Sequence, residues 1–67
     1  MPFVQIDVTD DGVTREQKSA LIKGVTDLLV DVLKKDPQLT HVIIREVDTD
    51  NWGYGGEPTT EIRKRSK

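Results

Sequence analysis

The 67-residue sequence contains no cysteine, so no disulfide can hold it together. A chain this short buries too little apolar surface to be comfortably stable alone unless something staples it. A structural metal is not an obvious substitute, because there is a single histidine, His41, and no cluster with ligand spacing. An efficient small core or self-association remains, and self-association is the expectation.

An excess of charge of one sign is missing too. Ten Lys and Arg residues stand against twelve Asp and Glu, a formal net charge of −2. The two signs are interleaved except at the end, Arg63, Lys64, Arg65, Ser66, Lys67. Nothing here demands a nucleic-acid partner, and four cations at a terminus read as a solvated end. The chain is therefore taken as one domain, 1–67, with 62–67 a basic C-terminal tail. No apolar run approaches the roughly 20 residues needed to span a membrane, and the N-terminus lacks the basic-then-apolar layout of a signal peptide. A cytoplasmic protein with no membrane partner is expected.

Conventional catalytic sets are also lacking. There is no cysteine nucleophile, no phosphate loop and no Gly-x-Ser-x-Gly elbow. Asp10 with Asp11 and Asp48 with Asp50 are paired carboxylates, but in loops of this composition they read as solvated turns. His41, on a strand, reads as a packed or hydrogen-bonded residue.

What is present is regular. Phe3 to Thr9 alternates, with Val4, Ile6 and Val8 on one face, which is the period of a half-buried strand. Asp10, Asp11 and Gly12 supply a turn, and Thr14 followed three residues later by Gln17 forms a capping-box pattern at a helix start. From Arg15 to about Lys35, apolar residues at Leu21, Ile22, Val25, Leu28, Leu29, Val32 and Leu33 recur at helical spacing, and Asp36-Pro37 marks the stop. Leu39 to Val47 reads as a second strand, with Val42 and Ile44 alternating against His41, Ile43 and Arg45. Two strands joined through a long helix should be parallel with a right-handed crossover. A two-stranded sheet has little stability of its own, so partner chains are expected to extend it. Asp48 to Gly56, with Trp52, Gly53, Tyr54, Gly55 and Gly56 at its end, reads as a turn or short hairpin, whose aromatic pair packs at an interface or walls an apolar site.

Pro2 stands apart chemically. Methionine before proline is normally trimmed, and the exposed proline then carries a basic secondary amine. An unperturbed α-amino group titrates at about 7.7–8.0, and an apolar pocket or nearby cations push it lower, leaving a base that can carry a proton near neutral pH. A plainer reading also fits, because proline can simply start an edge strand where its missing N–H is harmless.

With Met1-Pro2, the strand through Gln5-Ile6, the helix opening Arg15-Glu16-Gln17-Lys18 followed by Leu21-Ile22, the strand Val42 to Glu46 and the aromatic-Gly-x-Gly-Gly turn at Trp52, the chain resembles the 4-oxalocrotonate tautomerase family over nearly its whole length. The resemblance implies an α+β, tautomerase/MIF-like β-α-β subunit. It has parallel strands, one long helix and a C-terminal hairpin or turn, and it assembles into a hexamer of identical chains or of two related chains. It also implies a cofactor-independent isomerase in which Pro2 is general base and acid, moving a proton between carbon and oxygen of a small carboxylic acid. Sites are then assembled from neighbouring subunits.

Carried over by position, the family's clamp arginine before the helix falls at Val13, and the arginine of its second strand falls at His41, with Arg45 four residues on along the same face, so that either His41 or Arg45 is a candidate to bind the substrate in its stead. Arg15 is near the missing clamp but belongs to the helix start. Trp52 and Tyr54 match aromatic and apolar wall positions, and Thr9 a wall position that is usually apolar. Losing a planar arginine fork should weaken a dicarboxylate and favour a monoacid. Two alternatives follow from the resemblance. One is a hydratase or dehalogenase activity on an unsaturated acid, using Glu46 or Asp48 to activate water. The other is a non-catalytic subunit of a mixed oligomer.

Overall fold

The computed structural model describes residues 2–65; Met1, Ser66 and Lys67, and with them the question of methionine removal and the end of the basic tail, lie outside the described residues. The first strand, β1, spans Phe3–Thr9, where β-branched residues alternate with polar ones as expected. The helix α1, Arg15–Leu33, opens on the full capping box. The Thr14 hydroxyl accepts from the Gln17 amide at 3.1 Å, and the Gln17 side chain accepts from the Thr14 amide at 2.9 Å.

Helix α1 ends earlier than expected. Lys34 turns left-handed at φ 56°, and its amide closes the last turn on the Val30 carbonyl at 2.9 Å. The stop is therefore this cap, and Asp36 and Pro37 start a separate short 3₁₀ turn, Pro37–Leu39, instead. The second strand, β2, consequently begins at His41 and ends at Val47. Strands β1 and β2 pair in parallel, Phe3 opposite His41 through Thr9 opposite Val47.

After a 3₁₀ turn at Thr49–Asn51 comes a hairpin of two-residue strands, β3 (Gly53–Tyr54) and β4 (Glu57–Pro58). Gly55 and Gly56 form its two-residue loop with φ of 64° and 82°, the type I′ pattern that favours glycine. Gly53 is required for a different reason. A Cβ there would sit 2.9 Å from the backbone oxygen of Glu57, directly across the ladder. Gly53→Ala is expected to cost about 1–3 kcal/mol through backbone displacement, read as a lowered thermal midpoint.

Thr59–Arg65 forms a second helix, α2, in addition to the one expected from the sequence pattern. Thr59 is the one buried residue among the described residues, 4% exposed. Its amide and its hydroxyl both donate to the Trp52 carbonyl, each at 2.6 Å. Thr60 donates to Asp50 at 2.6 Å and shares a 2.7 Å bond with Thr49, so turn, hairpin and α2 form one hydrogen-bonded arm. Arg65 binds Glu57 with both ends of its fork, tying α2 back to β4.

Helix α1 covers one sheet face, holding Val4, Ile6, Val8, Val42 and Ile44 at half burial. Among the described residues no apolar side chain is fully buried. The accessible surface, 5168 Å², exceeds the about 4,300 Å² of a compact monomer of this mass. The radius of gyration, 15.4 Å, exceeds the about 11 Å of a compact chain. The subunit is an open 45 × 25 × 15 Å body whose apolar surface is not closed by its own chain. No helix among the described residues is long and apolar enough to cross a membrane.

Candidate active site

Pro2 precedes β1, half-buried, and its carbonyl accepts from the His41 amide at 3.0 Å. Proline suits this place because its carbonyl can join the ladder while its missing donor is not needed. Pro2 and His41 thus lie together at the amino ends of the parallel pair. The residue directly opposite His41 is Phe3, so the exposed imidazole shares a face with that ring. Arg45 lies opposite Asp7, exposed, four residues and hence about 13 Å further along the strand. It does not join Pro2 within one subunit.

The other candidates gather at the opposite end of the sheet. Thr9 closes β1, about 23 Å from Pro2 at the usual strand rise. Its hydroxyl donates to the Asp11 carboxylate and accepts from Arg63 at 3.3 Å. Arg63, on α2, grips Asp11 with both ends of its fork, at 2.5 and 3.0 Å. Tyr54 lies within electrostatic reach of Arg63 and Arg65. Trp52 is half-buried, its carbonyl holding Thr59. Val13, half-buried, lines an open apolar groove with Gln17, Ala20 and Leu21.

Two carboxylates considered for water activation have other work. Glu46 is bound by Lys18 of α1 at 3.1 Å on the helix-facing side of the sheet. Asp48 caps the turn after β2, accepting from the Asp50 amide at 2.8 Å.

Nothing local in the sequence links Arg63 to Asp11, 52 residues earlier, so by sequence it belongs to the basic tail. The signal that was available is Ile62 four residues past Pro58, a single apolar position in a segment too short to show a helical period.

The Arg63 hydrogen bonds, then that of Thr9, hold the Asp11 carboxyl below its ordinary 3.8, at about 2. Glu57 is lowered by Arg65 in the same way. Because the folded value is depressed, the stabilisation is complete above 3.8 and is lost as pH falls towards about 2. The difference in thermal midpoint between wild type and Asp11→Asn should therefore be constant above that window and vanish below it. Both groups are exposed, so added salt should shrink the difference throughout.

A family model for tautomerase enzymes matches residues 2–62. The probable tautomerase K2 of Dickeya dadantii (strain 3937) is 64% identical over 66 residues, 98% of either chain. The 2-hydroxymuconate tautomerase of Pseudomonas sp. (strain CF600) is 33% identical over 96% of this chain and 100% of its own length. Among solved structures, DmpI from Helicobacter pylori superposes with a TM-score of 0.86 at 46% identity, over 94% of this chain and 97% of that one.

Proposed function

The chain belongs to the tautomerase family, and from that premise we propose that Pro2 is the proton carrier of an isomerase acting on a small 2-hydroxydienoate or enolpyruvate-type acid. The observation that carries the reading is Pro2 itself, half-buried at the head of β1 in a chain matched to the family from that residue onward. With Met1 removed, its secondary amine takes the proton from the 2-hydroxyl oxygen. Electron density shifts along the conjugated system, and the protonated proline returns the same proton to carbon. Nothing is consumed, so neither oxidant nor reductant enters.

The relative named for 2-hydroxymuconate suggests the chemical class. Val13 in place of the family's clamp arginine favours an acid with one carboxylate over a dianion. His41 contributes a single imidazole beside the strand that Pro2 opens, and Trp52, Tyr54 and Thr9 contribute walls from the far end of another subunit's sheet. Pro2 and Thr9 of one chain are too far apart to serve one small molecule, so the working site takes more than one chain; the family resemblance makes the assembly a hexamer, of identical chains or of two related ones. The engagement of Glu46 by Lys18 and of Asp48 in a turn leaves water addition without support.

The test is ultraviolet turnover of an enol acid by protein whose intact mass has been measured. Turnover confined to the proline-first form is expected. Equal turnover by chains still carrying Met1 would overturn the mechanism.

A further inference from the structure

The loop after β1 lacks an arginine in its own sequence, yet a guanidinium stands there. We propose that Arg63 of α2 is the substrate-carboxylate ligand of this site, and that Asp11 is its built-in competitor. The inference rests on the isomerase reading above and supplies the cation that Val13 cannot.

Placement is the first support. Arg63 lies one helical turn beyond Thr59, on the same face. Thr59 is the buried anchor that fixes α2 to the Trp52 carbonyl. Arg65, bound to Glu57, holds the end of α2 against the hairpin. The arm that presents Trp52 and Tyr54 therefore also presents Arg63, and delivers it to Thr9 and Asp11.

Donor arithmetic is the second support. A guanidinium has five N–H donors in a fixed fork. Three contacts, two to Asp11 and one to Thr9, leave donors for a further carboxylate oxygen. The Arg63 side chain is 49% exposed, so an incoming acid can reach it.

The pairing with Asp11 then carries a consequence for specificity. With no substrate, the Arg63 charge is largely balanced, so this end of the site exerts little pull on anions. A monocarboxylate can share the fork or displace Asp11, whereas the second charge of a dianion finds Asp11 nearby and no second arginine at Val13. Selectivity for monoacids is thus set by one cation already in partial use.

The two partners of the pair make the experiment discriminating. For the intact oligomer, KM for an enolpyruvate-type monoacid and equilibrium binding of an unreactive 2-oxo monocarboxylate are measured in Arg63→Ala, Arg63→Lys and Asp11→Asn. Arg63→Ala should weaken both by about 10- to 100-fold, the scale of a charge-assisted hydrogen bond, with kcat changed less. Arg63→Lys should restore part of the loss, keeping the charge without the fork. Asp11→Asn should tighten both by roughly two- to fivefold, the scale of one exposed ion pair.

A purely structural ion pair would move the Arg63 and Asp11 variants in the same direction. That result, or binding unchanged in Arg63→Ala, overturns the inference whatever Pro2→Ala does. Turnover that survives Pro2→Ala while the Arg63 and Asp11 effects keep their opposite signs would instead overturn the proline mechanism and leave the carboxylate site standing.

Discussion

Replacing Pro2 with alanine is expected to lower kcat/KM for an enol acid by at least about 10-fold, with the about 10²–10⁴-fold worth of a positioned general base as the upper bound. Alanine after Met1 removal still offers an α-amine, so the base is not deleted. What is lost is the secondary amine held in place by its ring, at a strand start whose carbonyl is held by the His41 amide. A primary amine on a freely rotating first residue spends less time aligned with the substrate. The loss should fall mainly on kcat.

A chain that keeps Met1 should fall further, to background, because an amide nitrogen has its lone pair in the peptide bond and cannot accept the proton. The fold should survive in both cases, since the Pro2 carbonyl, not its nitrogen, joins the ladder. The check is kinetics beside circular dichroism and intact mass on the same samples. Activity within threefold of wild type in well-folded Pro2→Ala would sink the assignment.

Much of the subunit could be read from local chemistry, and particular residues show where that stops. Val4, Ile6 and Val8 alternate in the sequence and sit at half burial in β1. Thr14 and Gln17 three residues apart form the capping box they suggest. Gly55-Gly56 makes the tight hairpin. Each of these rests on neighbours in the chain. The C-terminal helix has no such signature, since Thr59–Arg65 is seven residues with one apolar position, and what stabilises it is a carbonyl at Trp52 and carboxylates at Glu57 and Asp11.

The candidate site splits along the same line. Pro2 could be singled out by its chemistry, and His41 proves to be beside it in the ladder. Arg63 is brought to Asp11, two residues before Val13, only by tertiary folding. A charged residue in a basic run gives no hint in sequence of whether it meets solvent or a carboxylate. Arg45, by contrast, shares a strand face with His41, which makes the two alike in sequence, but the strand rise separates them by about 13 Å.

The second large effect concerns assembly. Substituting Leu28 and Val32 together with glutamate is expected to dissociate the oligomer and to abolish cooperative folding at micromolar concentration. A surface helix of a self-sufficient domain buries its apolar stripe. Helix α1 buries only part of its own: Val25 and Leu29 are half-buried towards the sheet, while Leu21, Leu28 and Val32 on the other flank of the same face are exposed, with Gly24 between them. Leu28 is 60% and Val32 65% exposed, and Phe3 and Ile43 are exposed on the sheet face away from the helix. Parallel strands are ordinarily covered on both faces, so a subunit with this much uncovered apolar surface must take its core from other chains.

Burying one Leu or Val side chain is worth about 1.5–3 kcal/mol, so removing two per chain weakens association by at least about 10²-fold per contact. Forcing carboxylates into that contact adds their desolvation. Because folding and assembly are then one equilibrium, the wild-type thermal midpoint should rise with protein concentration, and the double variant should lose helical signal as it loses mass in sedimentation. Lys23→Ala is the control, since it breaks only an exposed pair with Asp27 on the same helix and should leave mass and midpoint unchanged. A double variant that sedimented and melted like wild type would mean that α1 faces solvent on this side, and that the exposed row is not where neighbouring subunits meet.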